Sequence, residues 1–369
     1  IFTSRREGST GGPDNLELDN TFFEDVYITT SDSVNWSNPD QIGSSINTAD
    51  HDAAVGLSAD GQRLFVYKDE DVGDIYQSFL MGDIWTVPEK LSSNINTEFW
   101  ETHASITPDG KTLYFVSDRT SKKEIQYGAR DLYSVKKLPN GEWSEAKNMG
   151  PVINTKYDED GCFIHPSGKR LFFSSNGHKT MGGFDIFFSD LKEDGTWSEP
   201  VNIGYPINTT NDDLFYVEAP NGKIAYYSSI NPKLGRGEKD IYQVELLDRK
   251  ETPLTIISGI MAVKNPEGGP LDAKIIVKNK LSGEETVYQP NSSTGKFLVV
   301  IPPPDTNYDI KYSIDDSVIA DEKLVAAGGN SYKEITKTID YKGQVTTSGM
   351  AVDLPEVIET ATNVEPVKK

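Results

Sequence analysis

Along the first 247 residues, short apolar runs alternate with polar turn clusters, and period-2 alternation together with the turn signals divides the chain into strands. Leu171-Phe-Phe-Ser174 is such a run, with the turn Pro166-Ser-Gly168 before it and Asp185-Ile-Phe187 opening the next. The spacing predicts strands of five or six residues joined by tight turns and almost no helix. A longer period overlies this one. A Trp is followed ten residues later by Ile-Asn-Thr and 25 residues later by a turn glycine, without a gap in any copy. The copies start at Trp36, Trp85, Trp143 and Trp197; the triplets begin at Ile46, Ile95, Ile153 and Ile207, and the glycines are Gly61, Gly110, Gly168 and Gly222. A strand opening with Asp, an aliphatic and an aromatic recurs at Asp25, Asp74, Asp131, Asp185 and Asp240.

A repeat of roughly 50 residues made of short strands predicts a radial array, a β-propeller, because one unit cannot bury its apolar face alone. The repeat divides into an inner strand, a second, a third and an outer one. Five second–third pairs stand against four outer–inner pairs. The first unit lacks its inner strand and the last its outer strand, so the expectation is five blades, with both missing strands placed just ahead of Ile1, or six if a further blade precedes them. The chain begins without Met and mid-repeat, and it is read as a fragment or processed form.

The pattern changes after Leu247. Residues 248–254 form a polar linker, and residues 255–341 carry a new strand set with Ile256, Ile275, Phe297 and Tyr312 at alternating apolar positions. This predicts a small β-sandwich. Residues 342–369 are poor in aromatics and are expected to be a flexible tether. The fold class is therefore all-β: a propeller over 1–247 followed by a sandwich.

Composition narrows the function. The net charge of -21 repels nucleic acid and anionic lipid, which excludes nucleic acid as a partner. The single cysteine, Cys162, rules out an intrachain disulfide, and no apolar run is long enough for a membrane span.

The stretch Pro108-Asp-Gly-Lys-Thr-Leu-Tyr-Phe-Val-Ser117, followed by Asp131-Leu-Tyr133, resembles the TolB-like, WD-related periplasmic propellers. Ser258-Gly-Ile-Met, Gly269-Pro-Leu-Asp-Ala-Lys-Ile-Ile, Gly295-Lys-Phe-Leu-Val, Pro302-Pro and Tyr308 look like a carboxypeptidase regulatory-like domain. That order of modules is similar to PorE-type proteins, OmpA-family components of the type IX secretion apparatus of Bacteroidota. The resemblance implies a periplasmic scaffold or adaptor associated with the outer membrane. Its propeller would dock a protein partner, such as a PorP-type outer-membrane barrel or another secretion-complex component. A domain outside this chain would contact peptidoglycan.

Candidate chemistry follows the repeat. Five residues after each repeat Asn stands an acid: Asp52, Glu101, Glu159 and Asp213. These positions precede the inner strands and should ring one mouth of the channel. The loops between second and third strands open on the same face, differ in length and carry Arg119, Arg130, Lys179 and Arg236. Trp100 lies off the repeat and is the exposed-aromatic candidate. Together these residues form a candidate partner-binding face. The competing reading is that each acid accepts backbone N–H groups and pairs with a loop cation, serving its own blade.

Asp158-Glu-Asp160-Gly161 faintly resembles a calcium loop, but its twelfth position is Lys169 where a bidentate Glu is needed. His51, His103, His165 and His178 share no ligand spacing, and neither a Gly-x-Ser-x-Gly elbow nor a His-Glu-x-x-His motif occurs. The expectation is no catalytic residue, no metal, no cofactor and no enzymatic activity. The alternative function is a glycan- or peptide-binding propeller; a hydrolase would need a nucleophile from another domain.

Overall fold

The computed structural model describes residues 1–15, 21–32, 35–120, 125–230, 239–247, 249, 252–261, 272–302, 307–325, 332–340 and 343–348. Among these residues every regular element is a strand. Of the predicted tether, residues 342–369, the structure describes 343–348, and there Val345–Ser348 is not a tether but a strand paired with Tyr332–Ile339; the rest of that segment lies outside the described residues.

Five antiparallel sheets follow one another along the chain. The first holds Phe2–Arg5, Glu24–Ile28 and Asp40–Gln41. The second runs Asp52–Leu57, Arg63–Lys68, Asp74–Met81 and Glu89–Lys90, with Ile84–Trp85 paired to its third strand. The third runs Glu101–Ile106, Thr112–Ser117, Asp131–Lys136 and Lys147–Asn148. The fourth runs Glu159–Ile164, Arg170–Ser175, Asp185–Asp190 and Val201–Asn202. The fifth holds Leu214–Glu218, Ile224–Ser229 and Asp240–Glu245. The first sheet thus begins at the second strand of the repeat, and the fifth ends at the third.

The reason these segments pair as hairpins is local. Gly61, Gly110, Gly168 and Gly222 all sit at φ between 67° and 71°, a left-handed turn conformation that other residues enter only at a cost. The apolar residues then have two faces to cover, and neighbouring sheets cover them. Phe65 and Ile75 of the second sheet share a core with Leu113, Phe115 and Tyr133 of the third. Val116 and Leu132 of the third share another with Cys162, Leu171 and Phe173 of the fourth. The repeat Trp fills the space between sheets: Trp85 and Trp143 are 5% and 6% exposed. Burying a side chain of this size contributes on the order of 3 kcal/mol at about 25 cal/mol per Å².

A two-stranded sheet of Pro13–Asn15 and Thr21–Phe22 lies between strands of the first sheet, and two four-stranded sheets complete the described chain. One has the order Lys296–Ile301, Leu254–Met261, Tyr332–Ile339, Val345–Ser348; the other has the order Glu285–Tyr288, Ala273–Asn279, Asn307–Ile314, Ser317–Val325. Ile257, Phe297 and Ile335 of one enclose a common core with Ile275, Ile310 and Tyr312 of the other. Leu254, expected in the linker, already lies in a strand and is 1% exposed.

These last sheets rest on the turn side of the second and third sheets. Asn291 Nδ2 donates to the carbonyl of Gly82 at 2.9 Å. Lys111 Nζ meets Glu284 Oε1 at 2.5 Å. Ala59 packs against Leu254, Ile256 and Val300. Ala59, Gly82 and Lys111 all belong to hairpin turns. The Asn-Thr loops and the long loops therefore lie at the opposite ends of the strands.

Candidate functional site

The Asn of each Ile-Asn-Thr triplet acts as one extra residue of a strand. Asn47, Asn96, Asn154 and Asn208 each accept from the backbone N–H and donate to the backbone C=O of one residue, respectively Val26, Ile75, Leu132 and Ile186, at 2.8–3.0 Å. The carboxamide carries a donor and an acceptor spaced like a peptide group, so it satisfies an edge that would otherwise be bare. The Thr that follows turns the chain inward. Its N–H and Oγ1 both donate to the acid four residues on, in the pairs Thr48–Asp52, Thr97–Glu101, Thr155–Glu159 and Thr209–Asp213, at 2.5–2.9 Å.

A side chain from the second strand closes each acid from the other side. Lys68 Nζ reaches Asp52 at 2.6 Å. The hydroxyls of Ser117, Ser175 and Ser229 donate to Glu101, Glu159 and Asp213 at 2.7, 2.8 and 2.5 Å. All four acids are 0% exposed. The sequence placed them in a candidate partner-binding face; the structure takes them off the surface, because a carboxylate was needed to gather the Thr N–H and hydroxyl at the start of every inner strand. Their charge is costly where no cation follows. Burial pushes Glu159 up to about 7, against the opposing bonds from Thr155 and Ser175 and with Asp131 adding to the rise. Burial also raises Glu101 and Asp213, tempered by their Thr and Ser donors.

Where the repeat breaks its own symmetry, a charged cluster forms. The inner strands of the second to fifth sheets each carry a bulge, and in the third, fourth and fifth it holds a positive-φ residue: His103 (φ 44°), Gly161 (φ 56°) and Phe215 (φ 60°). Only one of the three is glycine, so two side chains are held in a conformation that L residues rarely adopt. His103 and Phe215 stack at 4.8 Å with 21° between their planes. His103 Nδ1 lies 2.8 Å from Asp160 Oδ1. Arg130 bridges Asp160 at 2.6 Å and Asp158 at 3.1 Å, and its guanidinium lies over Phe184 at 5.4 Å and Trp100 at 5.9 Å. Burial pushes the Asp160 carboxyl up, yet His103, Arg130 and the Gly161 N–H outweigh it and hold the group below its ordinary value. Phe215 remains 39% exposed.

Of the predicted face residues, the structure brings Trp100 and Arg130 together. Trp100 is half-buried and donates from Nε1 to the Tyr67 hydroxyl at 3.1 Å, so it is not the free aromatic expected. Arg119 is turned inward: it contacts Glu101 at 3.2 Å and lies 5.0 Å over both Phe115 and Tyr133. Lys179 is exposed and away from these groups. Arg236 lies outside the described residues. His103 and Phe215 were not among the sequence-derived candidates; the signal that could have flagged them is the Gly161 of the neighbouring copy, aligned with non-glycine residues. Cys162 is buried, its Sγ donates to the His103 carbonyl at 3.3 Å, and burial raises the thiol well above its usual range. Asp158 and Asp160, read as a weak calcium-loop resemblance, are engaged by Arg130. Among the described residues no group of three or more His, Cys, Asp or Glu is placed to hold a metal ion. Nor is any helix among them long and apolar enough to cross a membrane.

No family model matches the chain, and no curated protein matches it. Solved structures do. A TolB-type protein from Agrobacterium tumefaciens is 16% identical with a TM-score of 0.37, over 84% of this chain and 92% of that one. The β-xylosidase RS223 is 13% identical with a TM-score of 0.42, over 66% and 87%. An α-L-arabinofuranosidase from Clostridium thermocellum is 14% identical with a TM-score of 0.38, over 63% and 82%. The chain is all-β, and its structural neighbours are TolB-like and glycoside hydrolase propellers. Most of the named neighbours are enzymes, so the expectation of no enzymatic activity does not stand; similarity at this level assigns the chain no substrate.

Proposed function

We propose that the five sheets are the five blades of one closed ring, that the last two sheets form a sandwich, and that the ring docks a protein partner through its loop face. The observation that carries this reading is the division of the two faces. The sandwich contacts the hairpin turns at Ala59, Gly82 and Lys111, while the Trp100–His103–Arg130–Phe215 cluster lies with the long loops at the other end of the strands. A body held from one side and open on the other suits an adaptor. The resemblance of the blade repeat and of the module order extends the proposal to a periplasmic component of an outer-membrane secretion complex, of the PorE type. The net charge of -21 favours a basic partner surface and makes the association salt-sensitive.

The test is gentle solubilisation of membranes carrying the tagged chain, followed by purification at low and high salt. A stoichiometric envelope protein retained at low salt and released at high salt is the expected result. Recovery of the chain alone, soluble and monomeric, at both salts removes the reading.

A second reading has one observation in its favour: the exposed Phe215 ring stacked on His103, a platform for a small planar or sugar ligand. Glycan or peptide fragments that raise the melting temperature in the parent, and not in Phe215→Asn, would establish it.

A further inference from the structure

The strand Ser317–Val325 is an edge of its sheet and the longest strand among the described residues. Its backbone register shows which groups stay bare. Lys280 N–H donates to the Asn307 carbonyl, and Asp315 N–H to the Asp272 carbonyl, each at 3.0 Å. Odd-numbered residues from Asn307 to Ser313 therefore turn their backbone groups toward Ala273–Asn279. Tyr308, Ile310 and Tyr312 turn theirs toward their partners Leu324, Glu322 and Ala320. By the same alternation the N–H and C=O of Asp321, Lys323 and Val325 point out of the sheet, and nothing among the described residues pairs with them. The edge is closed at its start, where the register shifts beyond Ala320 and a Cβ on Gly343 would stand 1.9 Å from the Ile319 carbonyl oxygen. The opposite edge, Glu285–Tyr288, is already engaged: Lys111 of the third sheet reaches Glu284 at 2.5 Å and the Glu285 carbonyl at 3.4 Å.

Charge commonly guards an open edge against stray pairing. Here the guards have opposite signs. Asp321 and Lys323 are exposed and join no ion pair among the described residues. Signs also alternate across the sheet: Glu285, Lys278, Asp309 and Lys323 stand side by side on successive strands, and Lys311 stands beside Asp321. A further strand would continue the first row with an acid and the second with a base. The strand's own sequence does both when it is laid antiparallel on a second copy. Centred on Asp321, that pairing sets acid on acid; centred on Lys323, base on base. Centred on Glu322, it sets Asp321 against the partner's Lys323 and Lys323 against the partner's Asp321. Glu322 on that axis is balanced within its own chain, since it accepts from the Tyr312 hydroxyl at 2.6 Å and pairs with Lys337. Nor does net charge oppose the approach strongly, because residues 255–341 hold nine Lys against twelve Asp and Glu, and most of the -21 lies elsewhere.

We propose that this edge recognises a second copy of the chain, the two strands pairing antiparallel about Glu322 through residues 320–325 and joining two four-stranded sheets into one. Asp321 and Lys323 exchange backbone N–H and C=O groups with the partner's Lys323 and the partner's Asp321, about four bonds in all. Their side chains extend the alternating rows across the axis. Ala320 and Leu324, which already pack on the core of their own sheets, meet the partner's Leu324 and the partner's Ala320. A contact of one strand is small, so the dimer is weak and depends on concentration. The pairing needs neither the ring nor whatever the ring docks.

Sedimentation equilibrium of the 369-residue chain tests this. The parent is expected to pass from monomer to dimer as its concentration rises, with slower hydrogen exchange at Asp321, Lys323 and Val325. Asp321→Lys sets base against base on both sides of the axis, and Lys323→Asp sets acid against acid. Each change alone should weaken self-association about tenfold or more. Both changes in one chain restore it. Mixing the two single variants also restores it, because one then carries two bases and the other two acids; recovery on mixing shows that both are folded. A parent that stays monomeric at every concentration, with the edge open or taken by another protein, overturns the proposal. So does a dimer indifferent to the swaps, or a mixture of single variants that stays monomeric.

Discussion

Trp36 and Tyr226 meet edge to face, with ring centroids 6.0 Å apart and planes at 86°, although they belong to the first and fifth sheets. Trp197 and Tyr114, in the fourth and third sheets, make the same contact at 6.0 Å and 79°. Tyr114 and Tyr226 both stand four residues after a turn glycine, so one rule of the repeat is satisfied once between successive sheets and once across the two ends of the array.

This relationship predicts an order of effects. Trp143 is buried among Phe65, Leu113 and Phe115, and Trp143→Ala is expected to cost about 3–5 kcal/mol. Trp36 is half open, and Trp36→Ala loses little more than the aromatic pair, about 0.5–1.5 kcal/mol. Urea unfolding measures both. Hydrogen exchange in Trp36→Ala should accelerate in the first and fifth sheets together, because the contact joins them.

The carboxamide staples give a second expectation. Asn154→Leu keeps the volume but leaves the N–H and C=O of Leu132 without their partner. Each buried group so orphaned costs about 1–3 kcal/mol, so the variant should lose roughly 2–5 kcal/mol, read as a lower urea midpoint at unchanged m-value.

Glu159 makes stability depend on pH in an unusual direction. Its folded-state value, about 7, is above that of the unfolded chain, so the native state holds the proton more tightly. The contribution is present in full below the unfolded value near 4.3 and is lost as pH rises through 7. Glu159→Gln keeps an acceptor for Thr155 without the charge. It should match the parent near pH 4.5 and exceed it at pH 8, by on the order of 3 kcal/mol at most. Equal melting temperatures at pH 8 would refute this.

The thiol of Cys162 should be inert. It is 6% exposed, donates to His103, and burial raises its pKa. Labelling with a thiol reagent at pH 8 is expected to proceed only on unfolding, at the rate that global exchange sets.

Strain at the cluster can be separated from recognition. Phe215 holds φ at 60°, a conformation Asn tolerates better than other L residues. Phe215→Asn should leave stability within about 1 kcal/mol while removing the ring stacked on His103. Unfolding and partner retention, measured side by side, check the two effects independently.

The sequence by itself determined what is local and repeated. The strand period, the turn glycines and the Trp–Ile-Asn-Thr spacing are written in the order of side chains, because pleat and turn geometry act over a few residues. What only the tertiary structure decided concerns groups that meet across sheets. The sequence left the four acids either as a rim or as acceptors serving their own blades; the Thr N–H bonds and full burial fit the second, since burial depends on what covers a residue. Trp100 looked free and is tied to Tyr67 of the neighbouring sheet. The pairing of His103 with Asp160, of Phe215 with His103, and of Trp36 with Tyr226 joins residues whose separation along the chain carries no signal. Proximity of that kind follows from the curvature that stacks one sheet on the next, a property of the packed array as a whole.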